Sequence, residues 1–290
     1  MRRAAAFIEL LRPQQWVKNA FVLVGLVFGH AWQVSAMVWA ALGATLAFCF
    51  ASGAVYAFND ARDAAQDREH PDKRSRPVAR GAVSPAEAMV VAALAGAGSL
   101  ALAAWVGWRA AAIVALYLAI SAAYTLGLKR VPVLDVVIIA AGFMLRLLAG
   151  TLGIGIEPSN WLLACGFLLT LFLGFAKRRA EIASLAEDAA QHRAVLEAYS
   201  AGFLDKAILL CAVGMIAAYA WYTQAPETAL LHGTGSLALT LPWVLLGTSR
   251  YLYRLRSRGG GGDPAVELLR DPLLAASVAG WIATVLWLIG

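Results

Sequence analysis

Three aspartates follow directly after a long apolar stretch, and their spacing would place them on one side of a helix. Asp60, Asp63 and Asp67 stand at positions i, i+3 and i+7, which fall within about 60° of one another around a helix axis. Carboxylates that close repel each other unless a cation lies between them. Mg²⁺ suits such a site, because it binds a few carboxylate oxygens, keeps water and bridges to substrate phosphates. The pattern predicts a metal site for a diphosphate substrate.

A run of basic residues comes immediately after these aspartates. Residues 70–81 read His-Pro-Asp-Lys-Arg-Ser-Arg-Pro-Val-Ala-Arg-Gly. Cationic side chains bind phosphate oxygens through charge-assisted hydrogen bonds, so the run complements carboxylates that hold a metal ion. The alternative is that the aspartates form a solvated helix face beside a membrane. The combination of carboxylates and cations favours pyrophosphate binding.

The composition of the chain places it in a lipid bilayer. Hydrophobic residues make up 61% and charged residues 14% of its 290 residues, which is too apolar for a soluble domain of this length. Apolar runs of about twenty residues predict transmembrane helices. The sequence therefore predicts an all-α, polytopic membrane protein, a single domain over residues 1–290. Its nine candidate spans are 20–36, 37–58, 86–107, 110–127, 132–154, 159–176, 204–224, 234–252 and 270–289.

Basic residues predict the orientation of these spans. If the spans alternate in direction, all of the 24 Lys and Arg residues except Arg109 and Arg146 lie on the side that holds the N-terminus. The positive-inside rule makes that side cytoplasmic, in a bacterial-type plasma (inner) membrane. The net charge of +6 is then mainly a topology signal, and no nucleic-acid partner is expected. Glu9, Arg12 and Pro13 interrupt the first apolar stretch, so no cleaved signal peptide is expected.

A second polar segment follows the sixth predicted span. Residues 177–181 read Lys-Arg-Arg-Ala-Glu, and helical spacing puts Lys177, Glu181 and Asp188 on one face. The alternative is an ordinary Lys–Glu pair four residues apart on a solvated helix. The two long polar loops are offset by four spans. This offset suggests an internal duplication in which two helical halves face a shared cavity.

The chain resembles the UbiA superfamily of intramembrane prenyltransferases over nearly its whole length. The resemblance rests on the following residues: Asn59-Asp60-x-x-Asp63-x-x-x-Asp67 after the second span, Tyr124-x-x-x-x-Lys129-Arg130, Asp135, and Arg146 inside a span. It implies an all-helical fold with two Asp-rich cytoplasmic motifs at a central cavity, where Mg²⁺ binds a diphosphate.

Two features resemble one branch of that superfamily. Residues 12–19 read Arg-Pro-Gln-Gln-Trp-Val-Lys-Asn, similar to the opening of the branch that transfers 5-phosphoribosyl from phosphoribosyl pyrophosphate to a polyprenyl (decaprenyl-type) phosphate. Members that prenylate aromatic rings usually carry a second motif with several Asp residues and a Gly, where this chain has residues 177–181. The resemblance implies release of pyrophosphate, Mg²⁺ as cofactor, a lipid phosphate acceptor and a role in making arabinose-donor lipid for the cell envelope.

The residues and the resemblance together define a predicted site. The metal ligands would be Asn59, Asp60, Asp63 and Asp67, and the catalytic residues Asp60, Asp63, Asp67 and Glu181. Substrate binding is predicted for Lys18, Asn19, Arg62, Lys73, Arg74, Tyr124, Lys129, Arg146, Lys177 and Arg178.

Several alternatives stay open at this point. Lys18 could anchor an interfacial helix, and Lys129 could be a topology marker. Arg146 is costly inside a span, so it should face a wet cavity or pair with a carboxylate such as Asp135. The same metal site would also serve transfer of an isoprenyl group from its diphosphate to an aromatic or other acceptor. A transporter fits less well, because transporters gather polar residues near the bilayer midplane. A homo-oligomer is a further open alternative.

Overall fold

The fold is helical throughout the part of the chain that the structure describes. The computed structural model describes residues 2–71, 73–185, 198–257 and 264–289. Within these ranges every regular element is an α-helix or a short 3-10 helix, which confirms the predicted all-α class. The chain forms two compact units, one comprising Met1–Val131 with Ala141–Pro158 and the other Pro132–Ala140 with Ser159–Gly290. The prediction of a single domain over the chain stays a prediction.

The first unit is built around one long helix. Helix α3 packs against α5 and α6 and buries many small residues, among them Ala44, Ala47, Ala51 and Gly53. Small residues let helix backbones approach closely in a membrane. The helices of this unit are α1 (Arg2–Leu11), α2 (Val24–Phe28), α3 (Ser35–Arg62), α4 (Ala64–Glu69), α5 (Pro85–Val106), α6 (Trp108–Leu126) and most of α7 (Leu134–Ala149).

The second unit contains the first turns of α7 and the remaining helices. These are α8 (Asn160–Leu185), α9 (Ala201–Gln224), α10 (Pro226–His232), α11 (Leu241–Ser257), α12 (Pro264–Arg270) and α13 (Pro272–Ile289). Helix α8 packs against α9, and α11 packs against α13. Phe172, Leu204, Ile208 and Tyr251 are among the residues of its buried core. Helix α8 runs past the predicted span end at residue 176, so Lys177 and Glu181 lie on a helix rather than in a loop.

Several helices are long and apolar enough to cross a membrane. Seven qualify among the described residues, and an eighth qualifies if α10 and Ser236–Arg256, which are bent by 92°, form one span. Only 11% of the most apolar stretch of α5 is buried inside the protein, so its apolar side chains are suited to lipid contact. The chain is a multi-pass membrane protein.

The first predicted span, residues 20–36, is not a single helix. A 3-10 helix covers Pro13–Leu23, α2 has five residues, and another 3-10 turn covers Ala31–Gln33. These pieces touch the end of α7 backbone to backbone, because a Cβ on Gly150 would lie 1.6 Å from the Val22 carbonyl oxygen. Glycine permits this approach. The length of an apolar run cannot reveal such a contact. The predicted count of nine spans is therefore approximate, since seven or eight stretches within the described residues are long and apolar enough to cross a membrane.

Candidate active site

Residues 59–67, which we call the acidic segment, lie where α3 ends. The helix is interrupted at Asp63, the middle one of the three aspartates. Helix α3 stops at Arg62, Asp63 has φ −94° and ψ 10°, and α4 begins at Ala64. Helical hydrogen bonding nevertheless continues, since the Asp63 N–H donates to Asn59 O and the Asp67 N–H donates to Asp63 O. Asp60 and Asp67 are buried, at 1% and 3% exposure.

The three aspartates divide into a pair and a single residue. Nη1 of Arg76 donates to Asp60 Oδ1 at 3.2 Å and to Asp67 Oδ2 at 2.7 Å. Asp63 instead accepts from Nζ of Lys129, at 2.9 Å and 2.7 Å. The single acidic face that was predicted is therefore split, because each carboxylate in this segment has a basic side chain as its counter-ion. Asp60 and Asp67 remain together because both accept from Arg76 Nη1.

Asp60 has two basic partners and one open oxygen. Nη2 of Arg12 donates to Asp60 Oδ1 at 2.6 Å, and the Arg12 guanidinium also lies 4.8 Å from the centre of the Tyr56 ring. Arg12 adopts the left-handed conformation, with φ 51°, and Pro13 follows it. Asp60 Oδ2 is buried and accepts no hydrogen bond from any described residue. A buried carboxylate oxygen without a donor is unusual in folded proteins and is suited to an added cation.

These carboxylates fit a magnesium ion that also contacts a phosphate substrate. No group of three or more His, Cys, Asp or Glu residues within the described ranges is arranged to hold a metal ion. Mg²⁺ does not need one, because it usually binds through one or two carboxylates, several waters and substrate phosphates. Asp60 and Asp67 supply two carboxylates, and Asp60 Oδ2 supplies a free ligand atom. The Arg76 guanidinium now lies between them.

The remaining predicted residues near the acidic segment differ in exposure. Oδ1 of Asn59 accepts a long hydrogen bond of 3.5 Å from Thr125, next to Tyr124, which is half-buried on α6. Arg62 and Arg74 are exposed, while Lys18 and Lys73 are half-buried. The Asp63–Lys129 pair brings the motif of residues 124–130 to the acidic segment. Lys129 therefore has a contact beyond that of a topology marker.

Arg146 occupies a buried position with neutral partners. Its Nε donates to Asn19 Oδ1 at 2.8 Å, Nη1 to Gly142 O at 2.8 Å and Nη2 to Tyr117 Oη at 3.2 Å. Its guanidinium also lies between 4.9 and 5.5 Å from the ring centres of Phe48, Tyr117 and Phe143. Three hydrogen bonds and cation–π contacts replace the solvation lost on burial. Arg146 thus connects the 3-10 segment carrying Asn19 to α7.

The bond between Asn19 and Arg146 should contribute measurably to stability. We expect Asn19→Ala and Arg146→Met each to destabilise the protein, with a coupling free energy of roughly 1.5–3 kcal/mol between them, as for a hydrogen bond to a charged group. Unfolding of both single variants and the double variant in detergent measures this value. Arg109→Gln, on an exposed side chain, is the matched control. Strictly additive losses would contradict the expectation.

The second polar segment contains a buried ion pair. Nε of Arg178 lies 2.8 Å from Asp135 Oδ2, and Nη1 of Arg178 also donates to Glu181. Arg178 is only 2% exposed and has a buried carboxylate partner, and substrate binding by Arg178 stays a prediction. Asp135 pairs with Arg178, so Asp135 is not the counter-ion that was considered for Arg146. Lys177 and Glu181 are half-buried, and Asp188 lies outside the described residues.

Two side chains at the acidic segment are absent from the predicted site. Arg12 and Arg76 contact the carboxylates directly. Each lies in a longer basic stretch, residues 12–19 or 70–81, of which other residues were predicted to bind substrate. The sequence carries one weak signal for them, because Arg12 precedes Pro13 and Arg76 precedes Pro77, and the residue before a proline is disfavoured in a helix.

Comparison with known proteins finds relatives over almost the whole chain. The model of the UbiA prenyltransferase family matches residues 19–265. Decaprenyl-phosphate phosphoribosyltransferase from Corynebacterium glutamicum is 34% identical, with 96% of this chain and 85% of that protein covered. The enzyme of the same name from Mycolicibacterium smegmatis is 31% identical, covering 97% of this chain and 91% of that protein. A UbiA homolog from Archaeoglobus fulgidus, solved with GPP and Mg²⁺, has a TM-score of 0.73 at 21% identity, covering 98% of this chain and 99% of that one.

Proposed function

The chain belongs to the UbiA prenyltransferase family, and from this premise we propose that it transfers 5-phosphoribosyl from phosphoribosyl pyrophosphate to a polyprenyl phosphate. The family accommodates isoprenyl diphosphates as donors, so the premise alone leaves the donor open. Relatives that are 31–34% identical over almost the whole chain are named decaprenyl-phosphate phosphoribosyltransferases. Their names favour a ribosyl donor and a lipid phosphate acceptor.

One observation carries the choice of donor. The segment at residues 12–19, which resembles the phosphoribosyl branch, contacts the acidic segment through the bond from Arg12 to Asp60. Asn19, at the other end of this segment, is buried against Arg146. Residues 12–19, by which the phosphoribosyl branch is recognised in sequence, thus contact a carboxylate that is proposed to hold the metal. An added phosphate on the donor would suit its basic residues, Arg12 and Lys18.

The proposed reaction exchanges one ester at C1 of the ribose for another. The bond between C1 and the pyrophosphate oxygen breaks, and a bond forms between C1 and an oxygen of the lipid phosphate. Pyrophosphate leaves with the bonding electron pair, which leaves C1 with oxocarbenium character. The acceptor oxygen is already anionic near neutral pH, so the reaction needs no strong general base.

Residues of the acidic segment would bind the leaving group. We assign Asp60 and Asp67 as the principal ligands of Mg²⁺, with Asp63 and Asn59 as the other proposed ligands. When bound, Mg²⁺ neutralises charge that develops on the departing pyrophosphate. Arg12, Arg76, Lys73 and Arg74 would supply positive charge around the phosphates. Arg62, Tyr124 and Lys129 remain proposed substrate contacts beside them.

The topology proposal follows from the distribution of charge. The basic loops predict a cytoplasmic N-terminus and active site in a bacterial-type inner membrane. Phosphoribosyl pyrophosphate is a soluble, highly charged metabolite, so a site open to the cytoplasm would meet it directly. The lipid tail of the acceptor would lie between apolar helices, and the product would serve cell-envelope synthesis.

A direct assay tests the donor. Purified protein in detergent, given Mg²⁺, a polyprenyl phosphate and ribose-labelled phosphoribosyl pyrophosphate, should release pyrophosphate and move the label into the organic phase. Omitting the lipid phosphate should prevent both, which controls for hydrolysis. If the label stays in water while geranyl diphosphate is consumed with an aromatic acceptor, the isoprenyl alternative replaces this proposal.

A further inference from the structure

Four polar side chains and one backbone N–H, from three parts of the second unit, meet at the C-terminal end of α8. Oη of Tyr199 donates to Asp135 Oδ1 at 2.5 Å and accepts from the Val133 N–H at 2.5 Å. Arg178 binds the other carboxylate oxygen of Asp135 and also donates to Glu181. The start of α7, the end of α8 and the residues before α9 are therefore joined by one connected set of contacts, which we call the Asp135 network.

The Asp135 network is almost wholly removed from solvent. Asp135 is 0% exposed, Arg178 2% and Tyr199 7%. A buried ion pair gives little net stability compared with apolar side chains of similar volume. Burial raises the pKa of the Tyr199 hydroxyl, and the neighbouring Asp135 carboxylate raises it further, so Tyr199 stays a proton donor. Stability alone is therefore a weak reason for this arrangement.

The backbone at one end of the network is strained. Val133 has φ 68°, a left-handed conformation that is rare for a β-branched residue. Its N–H is the group that donates to Tyr199. Strain of this kind persists where the surrounding structure over-determines it, and it is concentrated at functional sites. The bond to Tyr199 holds this conformation immediately before α7.

The Asp135 network also fixes the rotation of the end of α8. Lys177 and Glu181 are four residues apart, so they share one helical face, and Arg178 is adjacent to that face. A guanidinium held by Asp135 cannot turn without breaking its ion pair. The bond from Arg178 to Glu181 then fixes the Glu181 carboxylate as well, which is a quarter exposed.

We propose that Asp135 and Tyr199 are positioning residues, which act through Arg178 to hold Lys177 and Glu181 in the orientation that donor binding requires. This inference rests on the phosphoribosyl transfer proposed above and on the predicted roles of Lys177 in substrate binding and Glu181 in catalysis. It gives Arg178 a role different from the predicted one, since Arg178 orients neighbouring residues and does not itself contact substrate. It also extends the list of functional residues to Tyr199, which no sequence motif indicated.

The mildest test removes a single hydroxyl. Tyr199→Phe keeps the ring and its stacking with Phe203 but deletes both hydrogen bonds of the hydroxyl. We expect hydrogen exchange of residues 177–185 in nanodiscs to accelerate. We also expect the KM for phosphoribosyl pyrophosphate to rise about tenfold or more, since small misplacements of positioned groups are costly. The KM for the polyprenyl phosphate should stay unchanged.

A second variant separates positioning from mere stabilisation. In the double variant Asp135→Leu with Arg178→Met, apolar side chains replace the buried pair, so thermal stability should be close to that of the wild type. Donor KM should nevertheless remain raised, because the ion pair between Arg178 and Glu181 is then lost. Asp271→Asn, which breaks the Arg250–Asp271 pair elsewhere in this unit, is the control that should lower stability without changing donor KM.

The outcomes distinguish the inference from the function on which it rests. Unchanged exchange of residues 177–185 in Tyr199→Phe would overturn the inference, as would a wild-type donor KM in the apolar double variant. If the wild-type protein does not use phosphoribosyl pyrophosphate at all, the proposed function fails. Hydrogen exchange then still decides whether the network holds the end of α8.

Discussion

Asp60→Asn should abolish measurable transfer while leaving the protein folded. Asp60 is the only carboxylate of the acidic segment with two arginine partners and an open buried oxygen. Changes to residues behind a metal ligand already cost about 10- to 100-fold, so we expect loss of the ligand itself to cost at least about a thousandfold. The amide keeps the shape of the side chain, and Arg12 and Arg76 remain partly exposed, so no charge is left deeply buried.

Two measurements are needed to read this variant. Labelled transfer reports activity, and Mn²⁺ binding followed by electron paramagnetic resonance reports the metal site without any turnover. Both should be lost in Asp60→Asn and kept in Glu9→Gln, which removes a carboxylate from an exposed pair with Arg80. Full activity of EDTA-treated wild-type protein without added divalent ions would contradict the metal assignment.

The sequence was sufficient to predict the class of fold and the identity of the acidic segment. Apolar runs near twenty residues identify spans because lipid leaves the backbone no partner outside the helix. The spacing of Asp60, Asp63 and Asp67 identified a carboxylate cluster. Helical periodicity could not reveal the interruption at Asp63. The backbone angles of Asp63, φ −94° and ψ 10°, lie in a sparsely populated region, and this single residue changes which side chains meet.

Contacts between distant residues were beyond the reach of local patterns. Arg178 stands in a basic run that looks solvated, and its burial depends on Asp135, which lies 43 positions earlier in the sequence. Residues 20–36 are as apolar as a span, yet Gly25 and Gly150 let two backbones touch there. In both cases a long-range partner decided the outcome, and a single sequence carries no direct signal for such a partner.

Arg76→Gln should change metal binding and donor binding in opposite directions. In the structure, Nη1 of Arg76 is shared by Asp60 and Asp67, where a metal ion between them would need to lie. The Arg76 guanidinium would have to leave this position for the two carboxylates to hold a metal ion, and the nearest new anion would be the donor pyrophosphate. The same side chain would then be first the counter-ion of the carboxylates and later a phosphate ligand.

Loss of Arg76 has separate expected effects on metal binding and on donor binding. Without donor, removal of the competing cation should strengthen Mn²⁺ binding, and added Mg²⁺ should raise the melting temperature of Arg76→Gln more than that of the wild type. With donor, loss of a charge-assisted contact of roughly 1.5–3 kcal/mol should raise the KM for phosphoribosyl pyrophosphate about 10- to 150-fold.

The control for this variant lies four residues away. Arg80→Gln removes the same charge from the same loop, but Arg80 pairs with Glu9 at the surface, where ion pairs contribute little. Its metal and donor affinities should match those of the wild type. Weaker Mn²⁺ binding in Arg76→Gln would mean that Arg76 shapes the metal site instead of competing for it. An unchanged donor KM would mean that the displaced guanidinium does not reach the pyrophosphate.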